Sequence, residues 1–180
     1  MTKKLTDIDI ALTESFNILE DMVNRIDFTN EYEFNLKNVQ IPWDLLNFSG
    51  LYLIEIKNMG SFSNIDAWIT DLKNRWEDER YLRKFTPNFK KIRIQAHNEL
   101  KEWMPLYIGK SKNVKTRIYE HLYKDLNKTT FALKLLAREN LQQEVFRLKT
   151  IKINVANYNE IVPRIEWQLR NRINPLIGKQ

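Results

Sequence analysis

Apolar positions recur at two periods along the chain, and the points where one period yields to the other divide it into elements. Over residues 5–26, Ile8, Leu12, Phe16, Leu19, Met22 and Val23 return every three or four positions, which predicts an amphipathic helix. Residues 27–49 are mixed polar and aromatic, broken by Pro42. GLYLIEIK at 50–57 is β-branched and aromatic with partial alternation, which predicts a strand closed by Asn58, Met59 and Gly60. DAWITDLKNRWEDERYLRKF (66–85) predicts a densely charged helix ended by Thr86-Pro87, and NFKKIRIQAH (88–97) a strand with a basic side. WMPLYIGK (103–110) is a second short apolar strand that ends on glycine. Ser111 and Asn113 are suited to cap a helix over NVKTRIYEHLYK (113–124), whose Val114, Ile118 and Leu122 share one row. A further helix is expected over about 130–141, a strand over EVFRLKTIKINV (144–155), and a last helix with the row Ile161 (or Val162), Ile165, Leu169 and Ile173. Pro163 suits its first turn, and Pro175 stops it.

This order predicts an α/β (α+β) domain at 50–180: a small central mixed sheet flanked by helices, preceded by a helical extension at 1–49. Composition narrows the function. With 180 residues, 43% of them hydrophobic, the chain buries a real core. The absence of cysteine excludes disulfide scaffolds, thiolate metal sites and cysteine nucleophiles, and two histidines cannot build a His-rich centre. Four glycines exclude the Gly-rich phosphate loops of nucleotide-binding folds. The net charge of +6 is compatible with a polyanionic partner. Asp7 and Asp9 interrupt the start before any secretory apolar run, and no stretch approaches a membrane span, so a soluble cytoplasmic protein with no membrane partner is expected.

Three features converge. Gly50-Leu51-Tyr52 opens one strand. Tyr107-Ile108-Gly109-Lys110 closes another and runs straight into a helix on which Arg117 and His121 share a face. Glu166 stands on the final helix. Each feature alone has a plain structural explanation: half-buried strand tyrosines, a solvated arginine, and a Glu166–Arg170 ion pair at i, i+4. Together and in this order, they resemble the GIY-YIG endonuclease superfamily, especially its small type II restriction enzymes. GLY (50–52) and YIG (107–109) stand for the two signatures, and YIGKSKNVKTRI is similar to the nuclease subunit of bacterial nucleotide-excision repair.

The resemblance implies hydrolysis of DNA phosphodiesters by Tyr52, Tyr107, Lys110, Arg117, His121 and Glu166. One Mg²⁺ or Mn²⁺ per site would be held by Glu166. Tyr52 or Tyr107 would act as base or water-positioner, Arg117 would clamp phosphoryl oxygens, and His121 would bind phosphate or assist proton transfer. The partners implied are double-stranded DNA and a second copy of the chain. Repair or junction-specific nucleases of the same kind, or an inactive DNA-binding module of that fold, are the alternatives.

The chain departs from the pattern in two places. The signatures are joined by a long insertion at about 58–103, and Gly178 stands where an asparagine is usual, with Asn174 nearby. Target recognition is expected from residues 1–49, from the insertion, or from both; the insertion holds Arg83, Lys84, Lys90, Lys91 and Arg93 among Trp76, Tyr81, Phe85 and Phe89. Lys112 and Lys115 are further DNA-contact candidates. Glu55-Ile56-Lys57 with Asp44 mimics the carboxylate set of another metal-dependent nuclease class and ranks below.

Overall fold

In the computed structural model, which describes residues 2–178, a four-stranded antiparallel sheet has the order β1-β5-β2-β4. The strands are β1 (Asn30–Asn35), β2 (Gly50–Lys57), β4 (Trp103–Ser111) and β5 (Val145–Lys152). The helices are α1 (Thr2–Asn24), α2 (Ile65–Trp76), α3 (Lys91–Ile94), α4 (Val114–Tyr123) and α5 (Tyr158–Ile173). A two-stranded ribbon joins β3 (Asn88–Phe89) to β6 (Ile177–Gly178).

Both faces of the sheet are covered, which explains why β2 reads as a near-continuous apolar run. On one face Tyr52, Ile54, Ile56, Phe146 and Leu148 pack with Leu72 and Trp76 of α2 and with Ile118 and Leu122 of α4. On the other, Leu51, Leu53 and Ile108 pack with Val162, Ile165 and Leu169 of α5 and with Val23 of α1. A register shift between Ile54 and Glu55 leaves Leu106 as an extra residue in β4, beside Pro105, which has no N–H to give the ladder. The bulge inverts the alternation of β4. Tyr107 therefore turns to the α4 face, together with Met104 and Leu106.

Several expectations need correction. The sheet is wholly antiparallel rather than mixed. Residues 1–49 are more than a helical extension, because β1 forms a sheet edge against β5. The helix expected to Phe85 ends at Trp76, whose indole N–H donates to the Pro87 carbonyl at 2.8 Å. Beyond it, Asp78 folds the chain back by binding Arg80. Of the strand expected at 88–97, only Asn88 and Phe89 pair, because their partner β6 is two residues long; the chain then turns into α3.

The helix expected at 130–141 is instead two 3₁₀ turns, Leu135–Ala137 and Glu139–Leu141, after Lys134 in the left-handed region (φ 57°). Buried cations hold this segment. Lys134 Nζ donates to the Leu126 and Lys128 carbonyls. Arg138 stacks on the Trp76 ring at 3.8 Å and donates to the Leu133 and Trp76 carbonyls, while burial pushes its pKa down to about 10. Finally, Pro163 falls in the second turn of α5 rather than the first.

Candidate active site

The site lies where edge strand β4 lets residues from both faces of the sheet meet. Tyr52 and Gly109 are directly opposite in the β2–β4 ladder, and Tyr107 is the diagonal neighbour, so both tyrosines lie on the α4 face. Their rings stack with centroids 6.2 Å apart. Gly109 is required by this arrangement. A Cβ there would overlap the Tyr52 hydroxyl and lie 2.5 Å from its Cζ, so the Tyr52 ring occupies the space a side chain would need. At the start of β2, a Cβ on Gly50 would run into the backbone of Ile151 in β5. Gly50 and Gly109 thus both serve close packing.

α4 is capped as its sequence suggests: the Asn113 side chain accepts from the Thr116 N–H at 2.9 Å. The cap sets the helix phase that turns Arg117 and His121 toward the tyrosines. Arg117 donates to Glu120 at 2.7 Å and to the Phe131 carbonyl. From the opposite layer, α5 brings Glu166 and Arg170. Tyr52, Tyr107, Gly109, Lys110, Arg117, Glu166 and Arg170 line one pocket of about 310 Å³. Five of the six expected catalytic residues therefore converge.

His121 is the exception. It is fully buried behind Tyr52 and its ring nitrogens are both engaged. The Leu133 N–H donates to Nδ1 at 3.1 Å, so the protonated nitrogen is Nε2, which donates to the Tyr52 hydroxyl oxygen at 2.9 Å. Burial, reinforced by the Arg117 charge, holds its pKa well below the usual 6.5. A neutral, enclosed imidazole cannot receive phosphate. Its role is to fix the Tyr52 phenol, whose own proton is thereby directed away from His121.

Burial also pushes Tyr52 well above the usual 10.0, with the Tyr107 charge adding to it and Arg117 opposing it; burial likewise raises Tyr107. Arg117 stays protonated: burial disfavours its charge, but Tyr52, Glu120 and Tyr107 outweigh that.

Glu166 pairs with Lys110, not with Arg170 as the i, i+4 spacing suggests. Arg170 reaches the pocket with its buried Nε free of any hydrogen-bond partner. The sequence pattern suggests Arg170 only as the ion-pair partner of Glu166, and its place one turn later on the same helix face is what brings it to the pocket. The pocket is thus lined by three cations against one carboxylate. Arg93 stands close enough for Arg170 and Glu166 to act on its charge, and burial together with Arg170 lowers its pKa.

The other basic candidates are scattered. Arg83 donates to the Glu79 and Leu82 carbonyls and to Asn127; Lys84 lies over Phe85 at 5.7 Å. Lys90 and Lys91 open α3. Lys112 lies over Tyr158 at 5.5 Å, and Lys115 pairs with Asp44 at 3.4 Å. Among the aromatics of the insertion, Trp76 and Tyr81 are buried and therefore structural. Asn174 does not reach the pocket. It ends α5 in the left-handed region (φ 52°), and its carbonyl accepts from His97 Nε2–H at 2.7 Å. Gly178 pairs with Asn88 in the ribbon.

The competing carboxylate set is not assembled. Glu55 is enclosed by Arg147 and Lys149, Lys57 pairs with Glu102, and Asp44 is fully exposed beside α4. Among the described residues no group of three or more His, Cys, Asp or Glu stands together as a metal cage. A single pocket carboxylate matches a hard divalent ion that binds one or two carboxylates and takes its remaining ligands from water and phosphate. Among the described residues no helix is long and apolar enough to cross a membrane. No known protein family, curated protein or solved structure matches the chain.

Proposed function

We propose that this protein is a metal-dependent endonuclease that hydrolyses DNA phosphodiesters, acting as a site-specific restriction enzyme of the GIY-YIG kind. The observation that carries the reading is the pocket itself. Two stacked tyrosines, three cations and one carboxylate come from four separate elements to one small cleft, in the combination phosphodiester hydrolysis needs.

The cations suit the substrate's charge. Arg117, anchored by Glu120, offers its planar fork to phosphoryl oxygens, and Arg170 brings a buried N–H that still lacks an acceptor. Lys110 is the present counter-charge of Glu166. Glu166 would hold Mg²⁺ or Mn²⁺, which supplies Lewis-acid polarisation of the phosphate and stabilises the leaving oxygen. Tyr52 would orient or deprotonate the attacking water, and His121 supports it by donating to the oxygen on which negative charge develops. Because burial raises Tyr52, the phenol is neutral in the free protein at pH 7, and its activation depends on nearby positive charge, Arg117 foremost. Tyr107 would orient the phosphate.

One pocket cuts one strand, so cleavage of both strands at a near-palindromic site calls for two copies. A digest of unmethylated phage DNA with Mg²⁺ tests the reading: discrete fragments support a restriction enzyme. Preference for flaps or junctions would instead indicate a structure-specific nuclease, and binding without nicking an inactive module.

A further inference from the structure

α1 has a strong apolar pattern that its own chain leaves largely uncovered. Its C-terminal end is docked: Val23 is buried, Arg164 stacks on Phe16 at 3.5 Å, and Arg172 donates to the Val23, Asn24 and Ile26 carbonyls. Phe16 beside Arg164 and Val23 beside Arg172 mean that α1 and α5 run in the same direction. The first residue of α5 therefore stands level with about position 10 of α1, and the turns before it overhang the body. Leu5, Ile8, Leu12 and Met22 are 58%, 56%, 48% and 57% exposed.

Leu5, Ile8, Leu12, Ser15, Leu19 and Met22 are spaced three, four, three, four and three residues apart, the a and d positions of a heptad seam. In its middle, Leu12, Ser15 and Phe16 face Ile161, Pro163 and Trp167 of α5 across a cavity of about 980 Å³, with Trp167 itself exposed. Ser15 adds no unpaired group to the seam, because its hydroxyl donates to the Ala11 carbonyl at 2.8 Å.

We propose that this seam binds α1 of a second copy of the chain, in parallel about a two-fold axis, with the second helix seated between α1 and α5. Two features specify that occupant. In parallel pairing Lys4, at a g position, meets Asp9 of the second copy at the following e position, twice by symmetry. Antiparallel pairing would instead set Lys4 near Arg25 of the second copy. The area approaches what such an interface needs. At roughly 100 Å² for each half-exposed aliphatic, Leu5, Ile8, Leu12 and Met22 supply about 800 Å² over the two copies, and the exposed Trp167 of each brings the total toward the lower bound of about 1,200 Å² for a specific interface. The inference rests on the exposed faces of α1 and α5 and stands or falls independently of the nuclease reading.

Sedimentation velocity of the full chain over about 1–100 µM is the test. The expected result is a dimer of about twice the 21.7 kDa chain mass. Ile8→Glu and Leu12→Glu should each give a monomer with an unchanged circular dichroism spectrum, since neither side chain is buried. Lys4→Glu should weaken the dimer about tenfold, and adding Asp9→Lys should restore it. A wild-type monomer at the highest concentration, or a Leu12→Glu chain that still dimerises, overturns the proposal. Lys4→Glu that tightens the dimer overturns the parallel arrangement.

Discussion

Two charged clusters sit on the same sheet and differ in balance. Toward the β1 edge, Glu31 and Glu55 face Arg147 and Lys149. Arg147 reaches Glu55 at 2.7 Å and Glu31 at 3.2 Å, Lys149 reaches Glu31 at 2.9 Å, and the Arg147 guanidinium lies 4.4 Å from the Trp103 ring. Each charge there has a partner of opposite sign. In the pocket, Lys110 pairs with Glu166 and Arg117 with Glu120, which leaves Arg170 as a third cation whose buried Nε–H has no acceptor, and two buried phenols lie against Arg117. A balanced cluster is complete in itself and holds strands together. An unbalanced one is a standing cost unless an anion enters, and that difference separates a structural cluster from a binding site better than charge density does.

The largest expected contrast comes from removing one carboxylate of each cluster. Glu166→Gln should lower Mg²⁺-dependent cleavage by about a thousandfold or more, as read by plasmid nicking, and lower the melting temperature only slightly, because Lys110, 34% exposed, can turn to water when it loses its partner. Next, Tyr52→Phe should cost about a hundredfold or more in cleavage, and it also strands the His121 Nε2–H without its acceptor. Wild-type cleavage should climb with pH from 7 toward 9, because the phenol's pKa is raised by burial, and Tyr52→Phe should flatten that climb. Glu55→Gln should do the reverse of Glu166→Gln: about 1–3 kcal/mol of stability lost in urea unfolding, because Arg147 loses a charged partner in an enclosed site, with cleavage retained.

The smallest effect concerns His121. Its folded pKa lies below the unfolded one, so below about pH 6.5 the unfolded chain takes up a proton that the folded one refuses. Stability should therefore fall by up to about 1.4 kcal/mol per pH unit as pH drops below 6.5, until the folded pKa is reached. His121→Gln should remove one proton's worth of that slope.

These outcomes also bear on what could be read from the chain alone. β2, β4, β5, α4 and α5 were legible to within about three residues at each end, because strands buried on both faces and helices with one apolar row leave strong periodic signals. β1 was not, since NEYEFN is an exposed edge strand with one buried residue and carries almost no apolar pattern. The 130–141 segment was misread because its apolar residues are buried by 3₁₀ turns and by contacts of Lys134 and Arg138 with distant carbonyls, which no local period encodes. In the site, Tyr52, Tyr107, Lys110, Arg117 and Glu166 were picked out in order along the chain. Whether His121 faces the pocket or the core, and whether Glu166 pairs with Arg170 or Lys110, depends on the crossing of two layers over one strand edge. Such pairings follow from tertiary geometry, not from spacing on a single helix.

The unbalanced pocket is the centre of the account, and cleavage of unmethylated duplex DNA in Mg²⁺ by wild-type and Glu166→Gln proteins side by side tests it most directly. The account predicts discrete fragments from the wild type and intact DNA from the variant at equal concentration and equal fold. DNA left intact by the wild type, or cut equally by both, would contradict it.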